Sequence, residues 1–243
     1  MRSLRFENVS KSFAVEKDRR VAVLRDVSFE LTAPGVVGLA GRSGSGKSTL
    51  FRLVNRLADP DGGRILADGE ALGGGSVVDL RRRFVLCPQR AAFFPGSVLD
   101  NVTAPDWMTK RGEGDVARAE ALLERVEIPP ERWTSEPSAL SVGQQMRVQI
   151  ARCLYLSPDL LMLDESTANL DPHIAGRLLD DLARWAREDS RLLLHATHEP
   201  DKLRRCDRML VLEAGRIVAD GPPARLLDDE RGPAAAILRA EAD

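Results

Sequence analysis

The sequence predicts an α/β fold: a parallel sheet organised on a phosphate-binding loop, a small antiparallel sheet beside it, and a short α-helical insertion. The apolar run Val36-Val37-Gly38-Leu39-Ala40 reads as a buried strand, and Leu50-Phe51-Arg52-Leu53-Val54 has helical spacing. Between them lies Gly41-Arg42-Ser43-Gly44-Ser45-Gly46-Lys47-Ser48-Thr49. Leu160-Leu161-Met162-Leu163 and Leu192-Leu193-Leu194 are further short apolar runs, as parallel strands covered on both faces require. Leu4 and Phe6 alternate with charged residues, the pattern of a half-exposed strand.

Strand, glycine-rich turn and helix are the context of a phosphate loop, and so of a P-loop NTPase core. A polyphosphate needs many donors at close range, and backbone N–H groups supply them only where side chains do not intrude. Gly44 and Gly46 remove the Cβ atoms and permit positive φ. The helix that starts near Gly46 adds its free N–H groups and the positive end of its dipole. Lys47 can reach the terminal phosphates, and the Ser48 hydroxyl can ligate Mg²⁺.

The chain has 243 residues, 43% hydrophobic and 30% charged, enough for one large α/β domain with a sizeable core. A net charge of −2, with arginines interleaved among acids, argues against nucleic acid as the main partner. Cys87, Cys153 and Cys206 are scattered singly, without CxxC spacing. They suggest reduced thiols in a cytosolic protein and no zinc site. No apolar run approaches the roughly 20 residues that cross a bilayer, and the N-terminus does not read as a signal peptide. Any membrane role is therefore expected to pass through another polypeptide.

In chain order, Leu4, Phe6 and Asn8 set the alternation of the first strand. Residues 16–20 read as a turn. Val21-Ala22-Val23-Leu24 and Val27-Ser28-Phe29-Glu30-Leu31 read as strand broken near Arg25-Asp26. Phe13, on the approach to the loop, could stack on an adenine or sit in the core. Asp59-Pro60-Asp61-Gly62-Gly63 is a turn, Arg64–Ala67 a short strand, and Gly73-Gly74-Gly75 a loop. Phe84-Val85-Leu86-Cys87 is a buried strand stopped by Pro88, with Gln89 directly after it. Residues of about 97–140 form the helical insertion, carried by Leu99, Val102, Val116, Ala119, Leu122, Leu123 and Val126. Ser141 has the type and position of an N-cap. Leu178, Leu179, Leu182, Trp185 and Ala186 mark an amphipathic helix. A strand pair around Ala214-Gly215 and a helical tail end the chain.

Asp164-Glu165 ends the run Leu160–Leu163, far along the chain from the phosphate loop. Carboxylates so placed are what nucleotide hydrolysis needs: Asp164 for the Mg²⁺ shell, Glu165 to polarise an attacking water.

The stretch Ala139-Leu140-Ser141-Val142-Gly143-Gln144-Gln145-Met146-Arg147, followed by Ile150-Ala151-Arg152, resembles the signature of ATP-binding cassette (ABC) ATPases, usually LSGGQ. The order phosphate loop, lone Gln, signature, Leu-Asp-Glu and late His matches that family over nearly the whole chain. The resemblance implies a subunit that dimerises head to tail, with itself or a homologous ATPase subunit, around two ATP molecules. It implies that Gln89 senses Mg²⁺ and the attacking water, that Glu165 is the catalytic base and that His198 is the switch histidine. It assigns Ser141, Gly143 and Gln144 to the partner's nucleotide, Asp171 of Asn169-Leu170-Asp171 to the dimer interface, and Phe13 to the adenine. His195, inside a strand run, reads as structural. Ser141 and the Gly143 N–H, at a helix N-terminus, would complete a partner's γ-phosphate shell.

The implied function is a Mg²⁺-dependent ATPase that powers solute transport through separate transmembrane permease subunits, at the cytoplasmic face of a membrane. The alternative is a soluble ABC ATPase of metal-cluster assembly or another non-transport role. Ala91-Ala92-Phe93-Phe94-Pro95 favours transport, because in the family this segment lines a groove for a transmembrane subunit's helix. Residues 94–102 are loosely similar to phosphate- and metal-type transporters. Val142 departs from the glycine usual there. If the position needs an unusual backbone, strain of about 1–3 kcal/mol is expected, and Val142→Gly should then raise activity.

Overall fold

The computed structural model describes residues 1–243 except 17, 18, 110, 111, 113 and 240–243, so the middle of the turn expected at 16–20 lies outside the described residues. Among the described residues, β1 (Ser3–Glu16), β2 (Arg19–Thr32), β4 (Gly62–Ala67) and β5 (Glu70–Ala71) form an antiparallel sheet ordered β2-β1-β4-β5. The second sheet contains β3 (Gly35–Ala40), β6 (Phe84–Cys87), β7 (Leu160–Asp164), β8 (Leu192–Ala196), β9 (Arg208–Glu213) and β10 (Arg216–Gly221). Its order is β10-β9-β3-β8-β7-β6, parallel except where β10 pairs with β9.

That order positions everything that follows. β6, β7, β8 and β3 point the same way, and their registers pair Cys87 with Leu163 and Asp164 with Ala196. The residues just past each strand therefore emerge at one edge, the usual ligand crevice of an open parallel sheet.

The antiparallel sheet departs from simple alternation. Asn8 has φ 51° and Asp26 φ 54°, and the β1–β2 register shifts between Phe6 and Val9. Asn8 is thus a bulge, and Val9, not Asn8, takes the inward position after Phe6. β2 likewise runs unbroken through Arg25-Asp26: the Asp26 bulge, its N–H on Ser10 Oγ at 3.0 Å, carries the buried face from Leu24 to Val27. Glu16, Arg19 and Arg20 belong to the two strands and not to a turn.

α1 (Lys47–Val54) follows the phosphate loop. α2 (Val77–Arg83) is a helix that periodicity misses, because none of its residues is buried. Its signals are the Ser76 cap, which accepts the Asp79 N–H, and three arginines in its last turn. Within 97–140 lie α3 (Val98–Met108), α4 (Val116–Arg125) and two short 3₁₀ turns. They share one core with α5 (Val142–Tyr155), α6 (Pro172–Glu188) and residues of the parallel sheet. Val116 opens α4 facing solvent and is no part of that core. α7 (Pro200–Leu203), α8 (Pro223–Asp228) and α9 (Pro233–Arg239) complete the chain. Among the described residues, no helix is long and apolar enough to cross a membrane.

Candidate active site

A cavity of about 350 Å³ opens at the shared strand edge, lined by Val23, residues 43–49, Gln89, Asp164 and Glu165. Gly44 and Gly46 have φ 76° and 114°. A Cβ on Gly46 would stand 2.8 Å from Leu24 Cδ2 and 3.1 Å from the Val23 carbonyl, so both conformation and space require glycine there. Ser45 Oγ is buried without a hydrogen-bond partner. Such an orphan donor, among backbone amides at the start of α1, fits an anionic ligand.

Lys47 is only 5% exposed. Its Nζ donates to the Gly41 carbonyl at 2.6 Å and the Arg42 carbonyl at 3.2 Å, and lies 3.2 Å from Glu165 Oε1. Gln89 Nε2 donates to Glu165 Oε2 at 3.1 Å. The Glu165 carboxylate is thus held from both sides. Its backbone has φ 53°, and its N–H is fixed on the Ala196 carbonyl at 3.1 Å. A non-glycine residue in that region is sparse enough to suggest a functional constraint.

The Ser48 hydroxyl hydrogen-bonds Asp164. Burial pushes the Asp164 carboxyl above the usual range; the Ser48 bond pulls it down, and the nearby Glu165 charge pushes it up again. The hydroxyl, the carboxylate and the Gln89 carboxamide are hard oxygen donors on one cavity, a set suited to Mg²⁺.

Other residues singled out in the sequence lie elsewhere. Phe13 is 38% exposed on the β1–β2 ribbon, with Lys11 Nζ 5.4 Å from its ring centre, and does not line the cavity. His198 follows β8 at the same sheet edge as Glu165 and is half-buried. His195 is 1% exposed, its Nε2 3.1 Å from Thr167 Oγ1; burial, with the Lys202 charge second, lowers its pKa to about 3. It is a neutral core histidine, as expected.

Ser141 is the N-cap of α5 in a full capping box. Its Oγ accepts the Gln144 N–H at 3.2 Å, and Gln144 Oε1 accepts the Ser141 N–H at 3.0 Å. The Gln144 side chain thus closes the cap of its own helix through Oε1. The Ser141 hydroxyl proton remains free to donate. Asp171 is the N-cap of α6, with Oδ1 accepting the His173 and Ile174 N–H groups. Gly143 lies against the segment leading into α6: a Cβ there would stand 3.4 Å from Leu170 Cδ2. Val142 is the first residue of α5, 62% exposed and not among the positive-φ residues. The strain expected of it is absent, because a helix start suits valine's allowed φ. Neither Ser141 nor Gly143 lines the cavity built by Lys47 and Glu165.

The segment 91–95 leads into a second cavity of about 360 Å³, predominantly apolar, whose lining includes Val78, Phe94, Met108, Leu156, Arg81 and Arg152. Phe94 is tied to α3 through the Asn101 amide, at 2.9 and 3.0 Å, and packs edge-on against Trp107 with ring centres 5.6 Å apart. Phe94 and Met108 line this groove and are exposed, as is Trp107 beside Phe94, while Ala91 and Phe93 of the same segment pack against the main core.

A family model described as "ABC transporter" matches residues 24–168. The chain is 40% identical over 226 residues to a methionine import ATP-binding protein of Xanthomonas euvesicatoria, covering 90% of this chain and 67% of that one. It is 40% identical over 222 residues to the methionine import ATP-binding protein of Caulobacter vibrioides, covering 89% and 66%. It spans about two thirds of the length of these relatives. Among solved structures, the ATP-binding cassette MJ0796, described as dimeric in a post-hydrolysis state bound to ADP and Pi, superposes with a TM-score of 0.83 at 25% identity, covering 90% and 98%. An ABC transporter subunit from Clostridium perfringens, cbiO1, gives 0.81 at 27% identity, covering 93% and 91%.

Proposed function

The chain belongs to the ABC transporter family, and on that premise we propose that Lys47, Gln89, Asp164 and Glu165 form its hydrolytic centre and that a second copy completes it. It is an ATP-binding, ATP-hydrolysing subunit that powers solute transport through separate transmembrane subunits. The alternative, a non-transport role in cluster assembly, receives no support from these relatives.

The convergence of Lys47 and Gln89 on the two oxygens of Glu165 carries the reading. A carboxylate at the mouth of a phosphate loop, oriented by a carboxamide, is poised to take a proton from a water attacking the terminal phosphate. Lys47, released from Glu165, would turn to that phosphate and neutralise its charge. Ser48, Asp164 and Gln89 would hold Mg²⁺, which supplies charge neutralisation across the phosphate oxygens when bound. Ser141 and Gly143 lie away from this cavity, which favours their action on the nucleotide of the other copy. Closure of two chains would then assemble two complete sites. Phe13 would meet the adenine at the exposed end of β1.

The exposed groove around Phe94 and Met108 is read as the seat of a helix from the transmembrane subunit, with Arg81 and Arg152 favouring an acidic residue on it. On this reading the chain would sit at the cytoplasmic face of a membrane through its partners. The relatives direct the first substrate trial to methionine import, and away from phosphate or metal. The deciding assay is phosphate release from ATP by the purified chain. Release that stops when Mg²⁺ is chelated and returns when it is restored supports the reading. No release with Mg²⁺ present contradicts it.

A further inference from the structure

Behind the catalytic edge sits a buried cation that none of the roles above uses. Lys202, in α7, is 6% exposed. Its Nζ donates to the Thr167 carbonyl at 2.8 Å and to the Glu199 carboxylate. These partners belong to different functional segments. Glu199 directly follows His198 and caps α7. Thr167 stands two residues after Glu165, and its carbonyl also accepts the Leu170 N–H at 3.3 Å, closing the turn that leads to Asp171. Leu170 lies under Gly143 at the start of α5. From the strand side, His195 Nε2 meets Thr167 Oγ1.

An ammonium is buried at a cost unless its charge and donors are met. Here a carboxylate on one loop and a carbonyl on the other meet them, so the ammonium fixes the separation of the two. Packing alone would be served equally by an uncharged stem of the same length.

We propose that Lys202 is a positioning residue for hydrolysis, tying the His198–Glu199 loop to the turn before Asp171 so that both move as one piece on closure. The proposal rests on the ATPase reading above. Lys202 does not line the phosphate-loop cavity; it acts through His198 on one side and through Leu170 and Gly143 on the other. Loss of the tie leaves residues 41–49 untouched, so nucleotide affinity is preserved while turnover falls.

Lys202→Met keeps the stem and removes the charge, and Lys202→Arg restores it. For Lys202→Met we expect an ATP Kd and KM within about twofold of the parent and a kcat lowered about tenfold, the scale of a charge-assisted hydrogen bond. Hydrogen exchange should speed up in residues 166–171 and not in β3 or β8. Lys202→Arg should recover most of the lost turnover. A folded Lys202→Met with parental kcat and parental exchange at 166–171 overturns the proposal, as does a Kd that worsens in step with kcat. If Lys202→Met does not fold, Glu199→Gln is measured instead, since Glu199 is partly exposed. A kcat about threefold lower supports the tie, and an unchanged kcat overturns it. Should the parent release no phosphate, the ATPase reading fails on its own account, while the exchange measurement, which needs no turnover, still decides for or against the tie.

Discussion

The Lys47 ammonium stands 3.2 Å from Glu165 Oε1. The cation and the carboxylate proposed for phosphate and water thus neutralise each other across this contact. ATP would part them, giving Lys47 a phosphate and leaving Glu165 to Gln89 and the water. The pair keeps a nearly buried lysine from standing uncompensated.

Replacing Lys47 by methionine therefore removes one phosphate contact and leaves Glu165 oriented by Gln89 alone. The expected outcome is ATP affinity about ten- to a hundredfold weaker, the scale of a lost charged hydrogen bond, read by calorimetric titration. Unchanged affinity would mean that Lys47 stays on Glu165 in the loaded state.

Val142→Gly now carries a different expectation from the one the signature sequence suggests. Valine sits at a helix start without positive φ, so glycine relieves nothing. Stability should fall by at most about 1 kcal/mol, with turnover within about twofold of the parent. A several-fold gain in turnover would restore the strain explanation.

The α/β class was legible because the apolar runs at 36–40, 160–163 and 192–194 are short, bounded and fully buried. Asp164, Glu165 and Gln89 were legible because strand ends fix positions, and the shared edge follows from parallel order. What escaped has physical reasons. No α2 residue is fully buried, so the helix shows no apolar period. The bulges at Asn8 and Asp26 shift alternation by one residue, which looks like a break. The Gln144 capping bond was not read from the sequence, because the motif draws attention to its place and not to the reciprocal bond its Oε1 makes with the Ser141 N–H. Lys202 was invisible because one of its partners is a backbone carbonyl 35 positions away, which no side-chain pattern records.

His195 should make the fold acid-sensitive. Its pKa falls from 6.5 in the open chain to about 3 in the folded one. Between these values the unfolded chain binds a proton that the folded chain does not. Stability is therefore intact above about pH 6.5 and lost as pH falls, by up to about 1.4 kcal/mol per unit. Denaturant titrations from pH 7 to pH 5 should show this loss, and His195→Gln should reduce its slope. Equal slopes in both proteins would mean that other groups govern acid lability.

If the groove beside Phe94 is the proposed docking seat, docking and catalysis should be separable. Met108→Asp places a charge in an exposed apolar lining, far from Lys47 and Glu165 in the chain. ATP hydrolysis by the chain alone should stay within about twofold, while co-purification with its transmembrane partner should be lost. Retained co-purification would move the docking site elsewhere.

A site shared between two copies should show itself in Glu165→Gln. The carboxamide cannot act as the base, so ATP should bind and persist. Turnover should fall by about 10²–10⁴-fold. Light scattering coupled to size exclusion should show this variant as a monomer without nucleotide and a dimer with ATP, and Ser141→Ala in the same background should weaken the dimer. An ATP-loaded Glu165→Gln protein that remains monomeric at concentrations well above its ATP Kd would contradict the shared site.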